Sequence, residues 1–158
     1  MDELILGEAT RTIDDRYRLS LPKELIAPLV ARGEDCILAK ERPGCLSLWN
    51  LENWQNKLDQ GVQLVRGKIE AGRLEGRIDL VQQLGRLLST RHTRVQLAGR
   101  GRLVVPEGFR EFLGVEPGGV VMIVGAAVCV EIWQPERWQE YIGQHMPDFR
   151  RLLDQLAD

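Results

Sequence analysis

Apolar and polar residues alternate through Arg18-Leu19-Ser20-Leu21-Pro22, the two-residue period of a half-buried strand. Ala9–Ile13 before it is also strand-like, and Asp14-Asp15-Arg16-Tyr17 is a polar turn between the two. Pro22 ends the strand and suits the first turn of a helix, where its missing N–H costs nothing. The spacing of Leu25, Ile26 and Leu29 predicts one short helix over Lys23–Arg32. Cys36–Ala39 and Cys45–Trp49 read as apolar strands around the turn Arg42-Pro43-Gly44. Asn50 suits an N-cap, and Leu51–Gln60 reads as helix.

The same order then recurs. Val95–Leu97 is a strand, Gly99-Arg100-Gly101 a turn, and Arg102–Val105 a second strand before Pro106. Glu107–Leu113 is a short helix stopped by Gly114, and Val120–Val124 with Val128–Trp133 form a hairpin. Pro135 opens a helix carrying Trp138, Tyr141 and Ile142. Written above one another without a gap, residues 16–55 and 100–139 are identical at ten of forty positions, an echo at a spacing of 84. Arg16, Arg18, Pro22, Cys45 and the tryptophans Trp49 and Trp54 all have identical counterparts. Each copy is one supersecondary unit too small to bury its own apolar face, so the two are expected to form one body. Between them, residues 62–88 show an approximate helical stripe weakened by Gly67, Gly72, Gly76 and Gly85, which predicts one long or broken helix. Residues 148–158 add a last amphipathic helix.

Composition is that of a globular protein, 44% hydrophobic and 28% charged. Met1-Asp2-Glu3 is acidic where a secretory leader is positive, and the longest apolar run, Val120 to Val130, is far short of a membrane span. Cys36, Cys45 and Cys129 lie in apolar, strand-like contexts without metal-site spacing. A cytoplasmic protein with buried thiols is expected, without a metal or cofactor. The net charge of −2 conceals segregation. No carboxylate side chain occurs between Asp79 and Glu107, a window holding Arg86, Arg91, His92, Arg94, Arg100 and Arg102. Local potential, not net charge, decides attraction to phosphate.

The tryptophans bracket a strand-to-helix turn next to Glu52 and Glu136, which suits core packing better than base stacking. The candidate chemistry is in the repeated turns instead. Arg16 and Arg18, and in the second copy Arg100 and Arg102, enter a strand two residues apart and so share one face of it. A guanidinium's forked donors match phosphate oxygens or a guanine edge. Arg18 has Asp14 nearby as an internal partner, whereas Arg102 has no local acid.

Ile13 to Pro22, its partner Leu97 to Pro106, and the closing Glu131-Ile132-Trp133-Gln134-Pro135-Glu136-Arg137-Trp138 resemble the MraZ family of bacterial transcriptional regulators, over nearly the whole chain. The resemblance implies an α+β protein in which two tandem SpoVT/AbrB-type swapped-hairpin repeats form one pseudo-two-fold body. It would divide as first repeat 7–55, helical connection 56–90, second repeat 91–139 and C-terminal helical segment 140–158. It also implies a nucleoid-associated repressor that assembles into rings and binds short direct repeats of double-stranded DNA in the promoter of its own division and cell-wall gene cluster. The family signature is Asp-x-x-x-Arg, usually with glycine before the arginine. Asp14 and Arg18 match it in copy one, where Tyr17 replaces the glycine; Gly101 and Arg102 match in copy two, where Ala98 replaces the acid. Arg16, Arg18, Arg100 and Arg102 are then the expected DNA contacts, with Arg91 and Arg94 as electrostatic support. Tyr17 either distorts its turn or adds a base or sugar contact.

Two other readings stand beside this one. A protein-binding adaptor on the same scaffold would also explain the two incomplete signatures. An enzyme finds little support: His92 and His145 sit in unrelated contexts, no glycine-rich phosphate loop follows a strand, and Asp14-Asp15 lie beside arginines that neutralise them.

Overall fold

The computed structural model describes residues 3–31 and 33–158, with the backbone alone at Arg100. Met1, Asp2 and Arg32, on which the acidic start and the expected end of the first helix depend, lie outside the described residues.

The first copy contributes β1 (Ile5–Thr12), β2 (Arg18–Ser20), α1 (Lys23–Val30), β3 (Asp35–Arg42) and β4 (Cys45–Asn50). The connection is α2 (Leu51–Glu70), a single 3-10 turn over Glu75–Arg77, and α3 (Ile78–Arg91). The second copy contributes β5 (His92–Gln96), β6 (Arg102–Val104), α4 (Glu107–Leu113), β7 (Val120–Ala127) and β8 (Val130–Trp133). Two helices end the chain, α5 (Pro135–His145) and α6 (Phe149–Ala157). Most elements agree with the sequence pattern, α4 to the residue. Asn50 caps α2, its side chain accepting from the amides of Glu52 and Asn53. Several boundaries differ, among them β3, which runs to Arg42 rather than Ala39, and β7, which runs to Ala127 rather than Val124. β1 starts at Ile5 because it pairs with β7 along its whole length. The helix expected to end at Gln60 runs on to Glu70 and breaks at Ala71–Leu74, where Gly72 takes φ +69°, rather than at Gly67 or Gly85. β5 starts at His92, three residues before the expected Val95. Cys129 lies between β7 and β8 rather than within a strand.

The two copies exchange strands. A six-stranded antiparallel sheet runs β1-β7-β8-β4-β3-β5, so each copy's first strand pairs with the other copy's hairpin. The second strands, β2 and β6, pair in a separate two-stranded ribbon. The pseudo-two-fold axis is readable from residues that meet their own counterparts. Ser47 faces Glu131 in the sheet, and Leu19 faces Leu103 in the ribbon. One face of the sheet packs on the ribbon, α1 and α4 around Leu19, Leu103, Leu29, Leu113, Leu38 and Ile123, each at most 1% exposed. The opposite face carries the tryptophans. Trp133 and Trp138 cluster with Cys45 and α5, while Trp49 meets Trp54 at the start of α2. Trp49, Trp133 and Trp138 are buried and Trp54 is half-buried, so the rings belong to the packing. All three thiols are buried and unpaired, and burial pushes those of Cys36 and Cys129 up to about 12.

The gapless echo needs one correction. Thr12 faces Val120, but its counterpart Gln96 faces Asp35, one residue short of Cys36, the counterpart of Val120. A β-bulge between Lys40 and Arg42 absorbs the offset, whereas the β7–β8 register is unbroken. Cys36 and Leu38 therefore occupy the places of Val121 and Ile123 in the core, while Val120 is 43% exposed. A one-residue slip turns every side chain to the other face, so the bulge is what restores the inward set.

Candidate nucleic-acid interface

The β2–β6 ribbon pairs Arg18 with Val104, Leu19 with Leu103 and Ser20 with Arg102. Alternation turns the two leucines into the core and leaves Arg18, Ser20, Arg102 and Val104 exposed on one outward face. The arginines lie diagonally across the axis, about 7–8 Å apart at the backbone. Each strand is only three residues long, so its register depends on the turns before it and the prolines after it.

The two turns reach the same shape by different chemistry. In the first, Asp14 Oδ1 accepts from the amides of Arg16 (2.9 Å) and Arg18 (2.8 Å), and Oδ2 accepts from Arg18 Nε at 2.7 Å. The Arg18 amide, its guanidinium and the Arg16 amide together hold the Asp14 carboxyl below the usual carboxylate range. In the second there is no side chain to accept, so the Arg102 amide bonds the Ala98 carbonyl (3.0 Å) and the Ala98 amide returns to the Arg102 carbonyl (3.1 Å). Gly99–Gly101 tighten into a 3-10 turn. Among the described residues, Arg18 has a carboxylate partner and Arg102 has none.

Tyr17 takes φ +58° and Gly101 φ +79°, so both stand in the left-handed region that glycine enters freely and tyrosine enters at a cost. Tyr17 does not distort its turn. Its carbonyl accepts from Val105 N–H at 2.9 Å, as the Gly101 carbonyl accepts from Leu21 N–H at 3.0 Å. The ring is occupied internally: the Arg110 guanidinium carbon stands 4.1 Å from its centroid, and Arg110 Nε donates to the Val105 carbonyl at 2.9 Å. The residue 84 positions before Arg110 is Ile26, and a Cβ added at Gly101 would collide with Ile26 Cδ1. Each turn residue thus matches the helix residue above it, tyrosine under arginine and glycine under isoleucine.

The remaining arginines are dispersed. Arg16 is exposed in the first turn. Arg100 lies in the second turn, and its side chain lies outside the described residues. Arg94 is exposed on β5 and pairs with Asp35 at 2.9 Å. Arg91 donates to the Lys40 and Glu41 carbonyls, at the end of β5 away from the Ala98 turn. Lys23, outside the residues expected from the sequence, is exposed and lines one hollow with Glu34, Ala98, Gly99 and Gly101. Its counterpart is Glu107, so the charge reversal was readable by comparing the residues next to Pro22 and Pro106.

Strand exchange between two echoed units, with a basic two-stranded ribbon on the axis, defines a tandem swapped-hairpin protein. A family model described as "MraZ protein, putative antitoxin-like" matches residues 89–156. Proteins named "Transcriptional regulator MraZ" match almost end to end. That of Heliobacterium modesticaldum is 27% identical over 155 residues, 98% of each chain. That of Thermoanaerobacter sp. is 27% identical over 163 residues, again 98% of each. That of Acetivibrio thermocellus is 25% identical over 154 residues, 98% of this chain and 97% of the relative. The chain is thus similar to the MraZ family, through the family model over residues 89–156 and through these relatives over nearly its whole length.

Proposed function

We propose that this protein is a sequence-specific DNA-binding transcriptional regulator, a repressor that lays its β2–β6 ribbon against short direct repeats upstream of its own division and cell-wall genes. The observation that carries the reading is the ribbon's outward face: two diagonal arginines, one without an acid, with Lys23 beside the second turn. The major groove admits a two-stranded ribbon, phosphates attract its cations, and guanine O6 and N7 accept a bidentate arginine. Arg16, Arg18, Arg100 and Arg102 are the contacts in this reading, Lys23 joins them, and Arg91 and Arg94 add only to the surrounding potential. Residues 7–55 and 91–139 act as the paired DNA-facing repeats, while 56–90 and 140–158 serve assembly.

Assembly, in this reading, uses exposed apolar faces of the helices. α6 exposes Phe149, Leu152, Leu153 and Leu156, and α2 and α3 expose Leu64, Ile69, Leu84 and Leu87. Apolar bands of this kind are rarely left to water, and copies of this chain joined through them into a ring would each present one ribbon. A single ribbon makes few phosphate contacts, so useful affinity comes from several engaging spaced repeats together. The protein then works in the cytoplasm on the nucleoid.

The test is binding of the wild type and of Arg18→Ala/Arg102→Ala to the DNA upstream of its own gene, across a salt series. Salt-sensitive wild-type binding that is weak on one repeat, strong on an array and lost in the double variant is expected. Wild-type binding that ignores salt, or none, overturns the reading and returns the scaffold to the adaptor alternative.

A further inference from the structure

The ribbon's outward face is not symmetric. Arg18 stands directly opposite Val104, and Arg102 directly opposite Ser20. Val104 is 52% exposed between the buried Leu103 and Val105, and it takes no part in the core. Its counterpart in the first copy is Ser20, so the scaffold accepts a small polar residue at that place. The Val104 isopropyl group, half in water opposite Arg18, is open to contact from outside the chain.

The chemistry of the groove names a partner for it. Among the base edges exposed in the major groove, the one apolar group is the C5 methyl of thymine. Side chains directly opposite on a ribbon have Cβ atoms about 4.5–5.5 Å apart, and successive base pairs are about 3.4 Å apart. An arginine on a guanine therefore puts the residue opposite it over a neighbouring base. We propose that Val104 is a specificity-determining residue that packs on the methyl group of a thymine next to the guanine read by Arg18. In the other half, Ser20 beside Arg102 offers a hydroxyl that donates or accepts and so tolerates any base. The pseudo-two-fold body then reads a site without two-fold symmetry, which suits elements repeated head to tail rather than inverted. This inference rests on the proposed DNA-binding function.

Replacing thymine by deoxyuridine removes the methyl and changes no base pairing. The upstream element is titrated with each thymine replaced in turn, against the wild type, Val104→Ser and Ser20→Val, with thermal melting of each variant as a control on folding. One replacement is expected to weaken wild-type binding about fourfold, the effect of one buried methyl. That replacement leaves Val104→Ser unaffected, and Ser20→Val gains a second sensitive thymine on the other side of the axis. Salt-sensitive wild-type binding with no sensitive thymine overturns this inference and leaves the regulator reading standing. A methyl effect that persists in Val104→Ser also overturns it. Absence of any salt-sensitive binding removes both.

Discussion

The turn before β2 and the turn before β6 are the same structural device built from different residues. The first keeps the acid of the family signature and gives up the glycine; the second keeps the glycine and gives up the acid. Asp14 satisfies two backbone amides with one carboxylate but also neutralises Arg18. Ala98 offers only its carbonyl, which accepts from the Arg102 amide, and no acid among the described residues pairs with Arg102. Tyr17 stands in a left-handed backbone with its ring covered by Arg110, while Gly101 avoids strain and leaves room for Ile26. An incomplete motif is therefore not a damaged one when a contact from another element makes up the difference. The difference between the copies is electrostatic more than geometric: Arg18 is paired with Asp14, and Arg102 has no carboxylate partner among the described residues.

The harshest way to break this comparison is to move the first copy's tyrosine into the second. Gly101→Tyr adds left-handed strain to a collision with Ile26, a loss of about 2–5 kcal/mol, or a fall in Tm of roughly 5–15 °C. Adding Ile26→Arg rebuilds the Tyr17–Arg110 arrangement and is expected to recover a large part of the loss. A Gly101→Tyr protein that melts like the wild type would end the matched-pair account.

The next largest effect concerns DNA. Arg102→Ala should weaken binding about 10- to 100-fold and reduce the salt slope by about 0.9. Arg18→Ala should cost less, because Asp14 already competes for that guanidinium; equal losses would remove the ranking of the two halves.

Asp14→Asn keeps an oxygen for the Arg16 and Arg18 amides and discards the charge, so affinity for DNA should rise a few-fold at low salt. Because folding lowers the Asp14 pKa, its stabilising contribution is present above the ordinary 3.8 and is lost only as pH falls through the depressed value. The ion pair is thus intact at neutral pH, and the variant's advantage should persist there.

The smallest effect is expected on the axis, where Glu131 faces the buried Ser47. Burial, with Glu41 nearby, raises the Glu131 pKa, against the bond that Trp133 Nε1 donates to it at 3.0 Å. The folded chain then holds that proton to higher pH than the unfolded chain, so stability falls as pH rises from the ordinary 4.5 through the raised value. Glu131→Gln should raise Tm slightly at neutral pH, and the gap should close below pH 4.5. A gap that widens in acid would contradict this assignment.

Much of this molecule was legible along the chain. Strand periodicity, the proline after each short strand, Asn50 as a cap and the helix Glu107–Leu113 are local matters, settled by residues within a few positions of one another. The echo at 84 showed that two units must share a core, and the Asp14–Arg18 pair was readable from its spacing. The strand exchange was not readable from these patterns, because the two copies offer nearly equivalent edges and backbone hydrogen bonds do not distinguish them. Nor was the one-residue slip in β3, which an alignment of residues conceals and only the pairing of Gln96 with Asp35 reveals. Arg91, Arg94 and Arg102 share an acid-free window, yet tertiary structure gives Arg91 to backbone carbonyls, Arg94 to Asp35, and leaves Arg102 on the ribbon. Sequence by itself determined which residues alternate, turn and carry charge. Only the folded chain decided which charges stay free, because a guanidinium's availability depends on the carboxylates and carbonyls that other strands bring within about 3 Å of it.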